Sequence, residues 1–224
     1  MRVLLFVFLP LVLFAHDIWI DKTNEQYTLH YGHLHLNKEH LGHKNIPYNP
    51  KNIEQILCKN NKNIKQLPIT KKYPLLVKKE CDILYVALDS GYFSKTPYGT
   101  KKLSKKQSKM PLQSWKSYES VKRVERGQDT LLSDGLEMVL LSRPKHVGKK
   151  ARLQIFYKGK PISGVPVAYA DATKGVSDSE GKINIRVHHS GLQNIQATLK
   201  KPCKDKTLCD EEIYTTSLNF EVIE

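Results

Sequence analysis

Residues 151–157 read Ala-Arg-Leu-Gln-Ile-Phe-Tyr, and residues 165–169 read Val-Pro-Val-Ala-Tyr. In both stretches every second side chain is apolar, which is the period of a β-strand with one face in the core. The alternation returns three more times before the chain ends, and turn residues separate the repeats. We therefore predict that residues 149–224 form a small β-sandwich. The alternating sets are Leu153/Ile155/Tyr157, Val165/Val167/Tyr169, Ile183/Ile185/Val187, Ile195/Ala197/Leu199 and Leu218/Phe220/Val222.

Strand patterns also occupy residues 16–143, for example the alternation of apolar and polar side chains over 27–31. Within a lysine-rich insertion, residues 92–128, four apolar side chains recur every three positions, which predicts one helix. The polar segment 144–150 is the best domain boundary. The sequence as a whole predicts a mainly β protein of two β-sandwiches, with a short helical insertion in the first. The four apolar positions are Leu112, Trp115, Tyr118 and Val121.

The first fifteen residues have the composition of a secretory signal peptide. One positive charge, Arg2, precedes an apolar run of about a dozen residues that ends at Ala15. Leu13 stands where the cleavage rule prefers a small side chain, so uncleaved anchoring stays an alternative. Cleavage after Ala15 would give an exported, periplasmic protein that begins at His16. No later segment approaches the roughly twenty apolar residues of a transmembrane helix.

The chain contains four cysteines. An even number in an exported protein indicates disulfides rather than free thiols. Proximity along the chain favours the pairs Cys58–Cys81 and Cys203–Cys209, although other pairings are open. A zinc site built from these residues is less favoured, because no pair has the close spacing of a zinc knuckle.

Five of the nine histidines lie between residues 29 and 43, and His16 stands a short way upstream. Neutral imidazole is the commonest metal ligand in proteins and suits nickel, copper, zinc and iron. Because this stretch contains no cysteine, it favours a borderline metal over one that prefers thiolates. The alternative is a polar loop that is merely rich in histidine. The candidate ligands are His16, His30, His33, His35, His40 and His43.

The formal net charge is +14, from 36 Lys and Arg against 22 Asp and Glu. The lysine pairs are scattered along the chain, and no zinc-finger or RNA-binding signature accompanies them, so we do not expect nucleic-acid binding. No HExxH pair, phosphate loop, dinucleotide fingerprint or nucleophile elbow is present. Composition and motifs therefore favour a binding protein over an enzyme.

Three segments of the C-terminal half resemble the landmarks of carboxypeptidase-regulatory-like and transthyretin-like sandwich domains. This resemblance implies an immunoglobulin-like or transthyretin-like sandwich there, and it says almost nothing about function. The segments are residues 158–167, 177–183 and 191–197.

The mature chain as a whole resembles the DUF4198 family of exported bacterial proteins, which includes the NikK component associated with energy-coupling-factor nickel uptake. The resemblance implies a periplasmic accessory protein that binds nickel or cobalt and works with a membrane metal-uptake transporter. It carries His16 and His33 across as ligands. Besides the sandwich landmarks, the matching pieces are residues 15–20, 31–33, 92–97 and 114–118.

Two other functions stay open from the sequence. A structural or adhesive module would present loops to a protein or cell-envelope partner, with its basic residues favouring anionic polymers. A copper-binding periplasmic protein is the other alternative, because an N-terminal histidine supplies both its α-amine and its ring nitrogen. The nickel or cobalt hypothesis differs from the first of these in requiring a transporter as partner.

Overall fold

The computed structural model of the chain describes residues 16–24, 26–34 and 44–224. The predicted signal peptide, residues 1–15, lies outside the described residues. The described residues are mostly strand, so the prediction of a mainly β protein is confirmed. The strands are β1 (Asp17–Thr23), β2 (Gln26–His33), β3 (Lys44–Asn45), β4 (Ile53–Asn60), β5 (Asn63–Gln66), β6 (Leu76–Val77), β7 (Ile83–Thr96), β8 (Gly99–Lys101), β9 (Gln113–Val124), β10 (Leu136–Ser142), β11 (Lys150–Tyr157), β12 (Lys160–Pro161), β13 (Pro166–Tyr169), β14 (Ala172–Val176), β15 (Lys182–Arg186), β16 (Gly191–Pro202) and β17 (Glu211–Val222), and two 3-10 helices span Pro50–Asn52 and Lys105–Gln107.

In the part of the chain that the structure describes, these strands form three sheets. The largest, the central sheet, has the strand order β14-β13-β16-β17-β9-β7-β4-β5, with β8 beside β7. Strands β1, β2, β3 and β6 form the N-terminal sheet, and β10, β11, β12 and β15 form the C-terminal sheet. Strands β9 and β17 run parallel at the middle of the central sheet, with Trp115 beside Glu211 and Arg123 beside Asn219.

The two small sheets cover opposite faces of the central sheet. On β7, Leu84 and Val86 pack with the N-terminal sheet, whereas Ile83 packs with the C-terminal sheet. One sheet thus has an apolar core on each side, which explains the unbroken apolar run over 83–88. The N-terminal core includes Ile18, Ile20, Tyr27, Leu29, Ile56 and Val121, and the C-terminal core includes Met138, Leu153, Ile155, Val167, Ile195 and Phe220.

The predicted helix within residues 92–128 is wrong. Residues 113–124 form strand β9, which lies between β7 and β17. Tyr118 and Val121 are three positions apart, so strand alternation points them to opposite faces of the sheet. Both faces are covered: Tyr118 stacks on a tyrosine, and Val121 joins the N-terminal core. Leu112 is 66% exposed and joins neither core. The spacing of three therefore reflects a doubly covered strand and not one face of a helix.

Both halves of the chain contribute strands to the central sheet. Strands β4, β5, β7, β8 and β9 precede the predicted boundary at 144–150, and β13, β14, β16 and β17 follow it. The C-terminal sheet crosses the same boundary, because β10 pairs with β11. The two predicted sandwiches, 16–143 and 149–224, therefore share sheets and do not stand apart as two closed units.

Side chains of the central sheet bind the backbone of β1 directly. The Ile20 amide donates to Asn219 Oδ1 at 2.9 Å, and Arg123 Nη1 donates to the Ile20 carbonyl at 2.8 Å. Since β1 is an edge strand of its own sheet, these bonds satisfy backbone groups that its sheet leaves open. They fix the start of the described chain against a strand 199 positions later.

Both predicted disulfides are present. Cys58 on β4 bonds to Cys81, just before β7, and Cys203 bonds to Cys209 across the turn between β16 and β17. No cysteine of the described chain is left as a free thiol. Across that same part of the chain, no helix has the length and apolar character needed to cross a membrane.

Candidate metal centre

The β1–β2 hairpin brings two of the predicted ligands together. Antiparallel pairing sets Asp17 opposite Gly32, so the next positions outward, His16 and His33, meet at the open end of the hairpin. Their ring centroids are 5.1 Å apart, with 63° between the ring planes. This register is firmly set, because a slip of one residue would turn Ile18 out of the core. His16 is exposed and His33 half-buried, so solvent can reach the pair.

Asp17 holds the two strand ends of this hairpin. Its Oδ2 accepts a hydrogen bond from the Leu34 amide at 2.9 Å. Its Oδ1 accepts from Asn194 Nδ2 at 3.2 Å and from Gln196 Nε2 at 2.9 Å. Asp17 is 8% exposed. One buried carboxylate thus joins the residues that follow each histidine and fastens them to β16 of the central sheet.

A phenol lies beside the histidine pair. Tyr31 Oη is 3.3 Å from His16 Nδ1, and the two ring centroids are 5.3 Å apart. Burial of Tyr31, together with the charge of Glu119, holds the pKa of its hydroxyl well above the ordinary value. The hydroxyl therefore stays protonated at neutral pH. Its hydrogen bond orients the His16 ring, and the tautomer of His16 decides which of the two atoms donates.

Glu119 on β9 interacts electrostatically with Tyr31. Its Oε2 accepts a hydrogen bond from Ser90 Oγ at 2.7 Å. Burial raises the pKa of this carboxyl above its ordinary value of 4.5, and its charge acts on Tyr31. When ionised, this carboxylate contributes negative charge on the side of Tyr31, the residue that contacts His16.

Two imidazoles at the observed separation suit a shared metal ion. Metal–nitrogen bonds of about 2.1 Å put the ring centres of two adjacent ligands roughly 4.5–6 Å apart, and the 5.1 Å between His16 and His33 falls in this range. The described part of the chain contains no group of three or more His, Cys, Asp or Glu side chains that could hold an ion. A full ligand shell therefore needs donors beyond the described side chains.

The other predicted ligands do not join this pair in the described structure. His30 stacks on Trp19 across the hairpin, with ring centroids 5.2 Å apart and the planes 15° from parallel. Strand alternation places His30 on the opposite face of β2 from His33. His35, His40 and His43 lie outside the described residues, and their role stays a prediction.

The sequence does not predict the roles of three polar residues near the histidine pair, which are Asp17, Glu119 and Tyr31. The partners of Asp17 on β16 lie 177 and 179 positions away, so no local pattern reveals them. Glu119 is hidden by the wrong helix assignment. Once 113–124 is recognised as a strand, alternation sets Glu119 on the same face as Val121, toward the N-terminal sheet. Tyr31 is predicted only as a core residue, and its contact with His16 follows from the hairpin register.

Comparison with known proteins gives the family. DUF4198, a domain of unknown function, matches residues 13–201, which is more than half of the 224 residues. The matched region includes the whole β1–β2 hairpin and hence both His16 and His33. No curated protein and no solved structure matches the chain. The chain belongs to the DUF4198 family.

Proposed function

We propose that this protein is an exported binding protein for Ni²⁺ or Co²⁺ that passes its ion to a membrane metal-uptake transporter. The observation that carries the proposal is the meeting of His16 and His33, with ring centroids 5.1 Å apart, at the open end of the hairpin. Both are held in place, since Asp17 bonds the strand ends and Tyr31 contacts the His16 ring. Nitrogen donors without thiolate suit these borderline ions.

The rest of the ligand shell would come from residues on either side of the hairpin. If processing after Ala15 makes His16 the first residue, its α-amine becomes a donor next to its own ring. His35, His40 and His43 follow β2 by a few positions and offer further imidazoles. A shell rich in nitrogen is typical of Ni²⁺ and Cu²⁺.

Copper and zinc are the alternative ions for the same residues. In the general affinity order of divalent metals, Cu²⁺ binds such sites more tightly than Ni²⁺, so affinity in vitro does not identify the physiological ion. A copper-binding periplasmic protein would therefore use the same hairpin. The resemblance to NikK-like uptake components is what favours nickel or cobalt.

The periplasm is the compartment that fits this role. The apolar residues 1–15 and the two disulfides support export into an oxidising environment. The C-terminal half, in this proposal a transthyretin-like scaffold, steadies the hairpin through Asn194 and Gln196. The protein binds and delivers an ion, and the proposal includes no catalytic step and no nucleic acid.

Isothermal titration with NiCl₂ tests the proposal at His33. The purified protein should bind about one Ni²⁺, and His33→Ala should weaken binding by about tenfold or more, which corresponds to about 1.4 kcal/mol or more. His188→Ala is the matched control, because this exposed histidine stacks on Tyr169, whose side chain lies in the C-terminal core. Equal affinity of His33→Ala and the unchanged protein would contradict the proposal.

A second candidate, a structural or adhesive module for a cell-envelope partner, is favoured by one surface feature. Tyr118 and Tyr214 stack with centroids 4.8 Å apart, and Tyr157 meets Tyr214 at 5.2 Å. Lys116 Nζ lies 4.6 Å from the centre of the Tyr118 ring. These half-buried rings with a cation beside them suit stacking on sugars.

Co-sedimentation with purified peptidoglycan tests this second candidate. The unchanged protein should sediment with the peptidoglycan, and Tyr214→Ala should stay in the supernatant. Failure of the unchanged protein to sediment would exclude this function.

A further inference from the structure

A buried lysine lies between two buried carboxyl groups on the C-terminal side of the central sheet. Lys122 is on β9, Glu137 is on β10, and Asp129 is in the connection between these strands. The side chains of Lys122 and Asp129 are each 1% exposed, and that of Glu137 is 0% exposed. None of the three belongs to the metal centre, which lies on the other side of the sheet.

Both carboxyl groups contact the lysine amine, in different ways. Lys122 Nζ donates a hydrogen bond to Glu137 Oε1 at 2.7 Å and lies 3.0 Å from Asp129 Oδ1. Among the described residues, Oδ1 accepts no hydrogen bond, so this second contact is close but lacks hydrogen-bond alignment. The 3.0 Å contact sets the amine beside the Asp129 carboxyl group, whose carbon Cγ is bonded directly to Oδ1.

The two carboxyl groups accept different numbers of hydrogen bonds. Glu137 accepts hydrogen bonds from the Leu132 amide and from the amide and hydroxyl of Ser133. Asp129 Oδ2 accepts one, from the Leu140 amide at 2.7 Å. Burial raises the pKa of Asp129, so this group keeps its proton more readily. A protonated Asp129 beside one ammonium and one carboxylate gives a cluster without net charge, which burial favours.

We propose that Lys122 and Asp129 condense to form an intramolecular isopeptide bond, with Glu137 as the proton carrier. The amine of Lys122 contacts both other groups that this reaction needs: the carboxyl group of Asp129, whose carbon is the target, and the base Glu137, which accepts a hydrogen bond from the amine. The site is closed to solvent, which favours amide formation because water is released from it and little water is present to reverse the reaction.

The condensation balances without any further reactant. Glu137 takes one proton from the Lys122 ammonium, and the neutral Nζ attacks Cγ of Asp129. The Leu140 amide, already bonded to Oδ2, stabilises the negative charge that develops there. Glu137 gives its proton to the Oδ1 hydroxyl, which leaves as water, and takes one of the two protons remaining on Nζ. The products are one amide, one water molecule and a protonated Glu137, so atoms and charge are conserved.

The bond would lock the middle of the protein. The new amide keeps Oδ2 as its carbonyl oxygen and so keeps the hydrogen bond from Leu140 on β10. Strand β9, which pairs with β7 and β17, is then joined covalently to the segment that leads into the C-terminal sheet. A buried ion pair is replaced by a neutral amide that denaturants do not separate.

Mass spectrometry of the reduced and alkylated full protein tests the proposal. The measured mass of the intact protein should be lower, by one water molecule, than the mass calculated from its sequence and the added alkyl groups. Trypsin should fail to cut after Lys122 and should release residues 117–123 joined to residues 127–145 as one branched peptide. A succinimide at Asp134–Gly135 also loses water, but it leaves these two peptides separate.

Variants identify the atoms involved. Lys122→Arg and Asp129→Ala should show the full mass, and Glu137→Gln should form the branched peptide at least about tenfold more slowly, because it cannot accept the proton. Lys158→Arg is the matched control, an exposed lysine whose replacement should leave the branched peptide in place. Unchanged protein of full mass with two separate peptides overturns the proposal whatever the variants do, and the three side chains are then a buried ion cluster.

Discussion

At the scale of single residues, Asp17 connects the hairpin that carries the proposed metal centre to the far half of the chain. Its carboxylate receives one hydrogen bond from the hairpin end and two from β16. When a buried acceptor of this kind is removed, its donors stay behind without partners, and each costs free energy. Asp17 therefore has a structural task that is separate from any contact with an ion.

We expect Asp17→Ala to lower the free energy of unfolding by about 1–3 kcal/mol, the usual cost of leaving buried polar groups unpaired. Urea denaturation at pH 7 without metal measures this. Asp21→Ala, also on β1, is the control, because the Asp21 carboxylate accepts from the amide of the next residue. That variant should change stability by less than about 0.5 kcal/mol. Equal losses in the two variants would show that the bonds of Asp17 to Leu34 and β16 add nothing.

Glu119 should make the metal-free protein less stable as the pH rises. Its pKa in the folded state is raised by burial above the ordinary value of 4.5, so the folded state binds the proton more tightly than the unfolded state. Its contribution is therefore most favourable below the ordinary pKa and is lost as the pH rises through the raised one. Glu119→Gln, which does not ionise, should be more stable than the unchanged protein at pH 8 by about 1 kcal/mol.

Urea denaturation at pH 4, 6 and 8 measures this effect of Glu119→Gln. The two proteins should have nearly equal stability at pH 4 and separate as the pH rises. A variant that is less stable than the unchanged protein at pH 8 would show that the charge of Glu119 is well compensated in the fold.

The residues of the centre differ in how far the sequence predicts them. The density of histidines and the position of His16 beside the predicted processing site indicate the ligand type, and strand pairing then brings His16 and His33 together. The supporting residues are not predictable in this way, because Asp17 and Glu119 act through contacts between distant strands. The buried Lys122 is equally hidden, since a lysine in a lysine-rich segment is ordinarily exposed.

At the scale of elements, strand β9 decides how the protein is assembled. It pairs antiparallel with β7 and parallel with β17, and its alternating side chains reach both cores. Glu119 and Val121 face the N-terminal sheet, whereas Lys122 faces the C-terminal sheet. The proposed metal centre and the cluster of Lys122, Asp129 and Glu137 are therefore separated by the thickness of one sheet.

Predictability of the elements follows from their environment. Strands β11 and β13 have one core face, so their period-two alternation is visible in the sequence. Strand β9 is covered on both faces and buries Ser120, Lys122 and Arg123, so polar and apolar residues do not alternate and the segment imitates a helix. The two cysteine pairs can be predicted from the sequence because each joins cysteines that are close along the chain.

The two disulfides should stabilise the protein unequally. All four sulfurs belong to buried residues, so the loss of packing on replacement by alanine is similar for both pairs. Cys58 and Cys81 are 23 positions apart, and Cys203 and Cys209 are 6 apart. Closing the longer loop restricts the unfolded chain more, so we expect its removal to cost about 3 kcal/mol against about 2 kcal/mol for the shorter one. Urea denaturation of the two double alanine variants measures this, and the reverse order would contradict the loop-length explanation.

At the scale of the whole molecule, the central sheet makes the two halves one folding unit. Strand β17 depends on β9 for one of its two neighbours, and β11 depends on β10. We therefore expect one thermal transition in calorimetry, with calorimetric and van't Hoff enthalpies that agree. Residues 149–224 expressed alone should not fold, because the parallel partner of β17 is missing. Two separate transitions, or a folded fragment, would restore the picture of two independent sandwiches.

Metal binding at the hairpin should depend on pH. Only neutral imidazole and neutral amine bind a metal ion, and free imidazole takes up a proton near pH 6.5. Ni²⁺ affinity should therefore fall steeply as the pH drops from about 7.5 to about 5.5. Calorimetric titrations at three pH values in this range measure it. An affinity that does not change with pH would rule out ligands of this kind.

The most direct test of the central claim, that His16 and His33 share one ion, is a calorimetric titration of three proteins with Ni²⁺. The first begins at His16, the second carries one additional residue before His16, and the third begins at His16 and contains His33→Ala. We expect the first to bind about one Ni²⁺, and the other two to bind it at least about tenfold more weakly, because each has lost a nitrogen donor. If the extended protein keeps full affinity, the rings suffice without the terminal amine. If all three bind Ni²⁺ equally, the proposed centre is wrong.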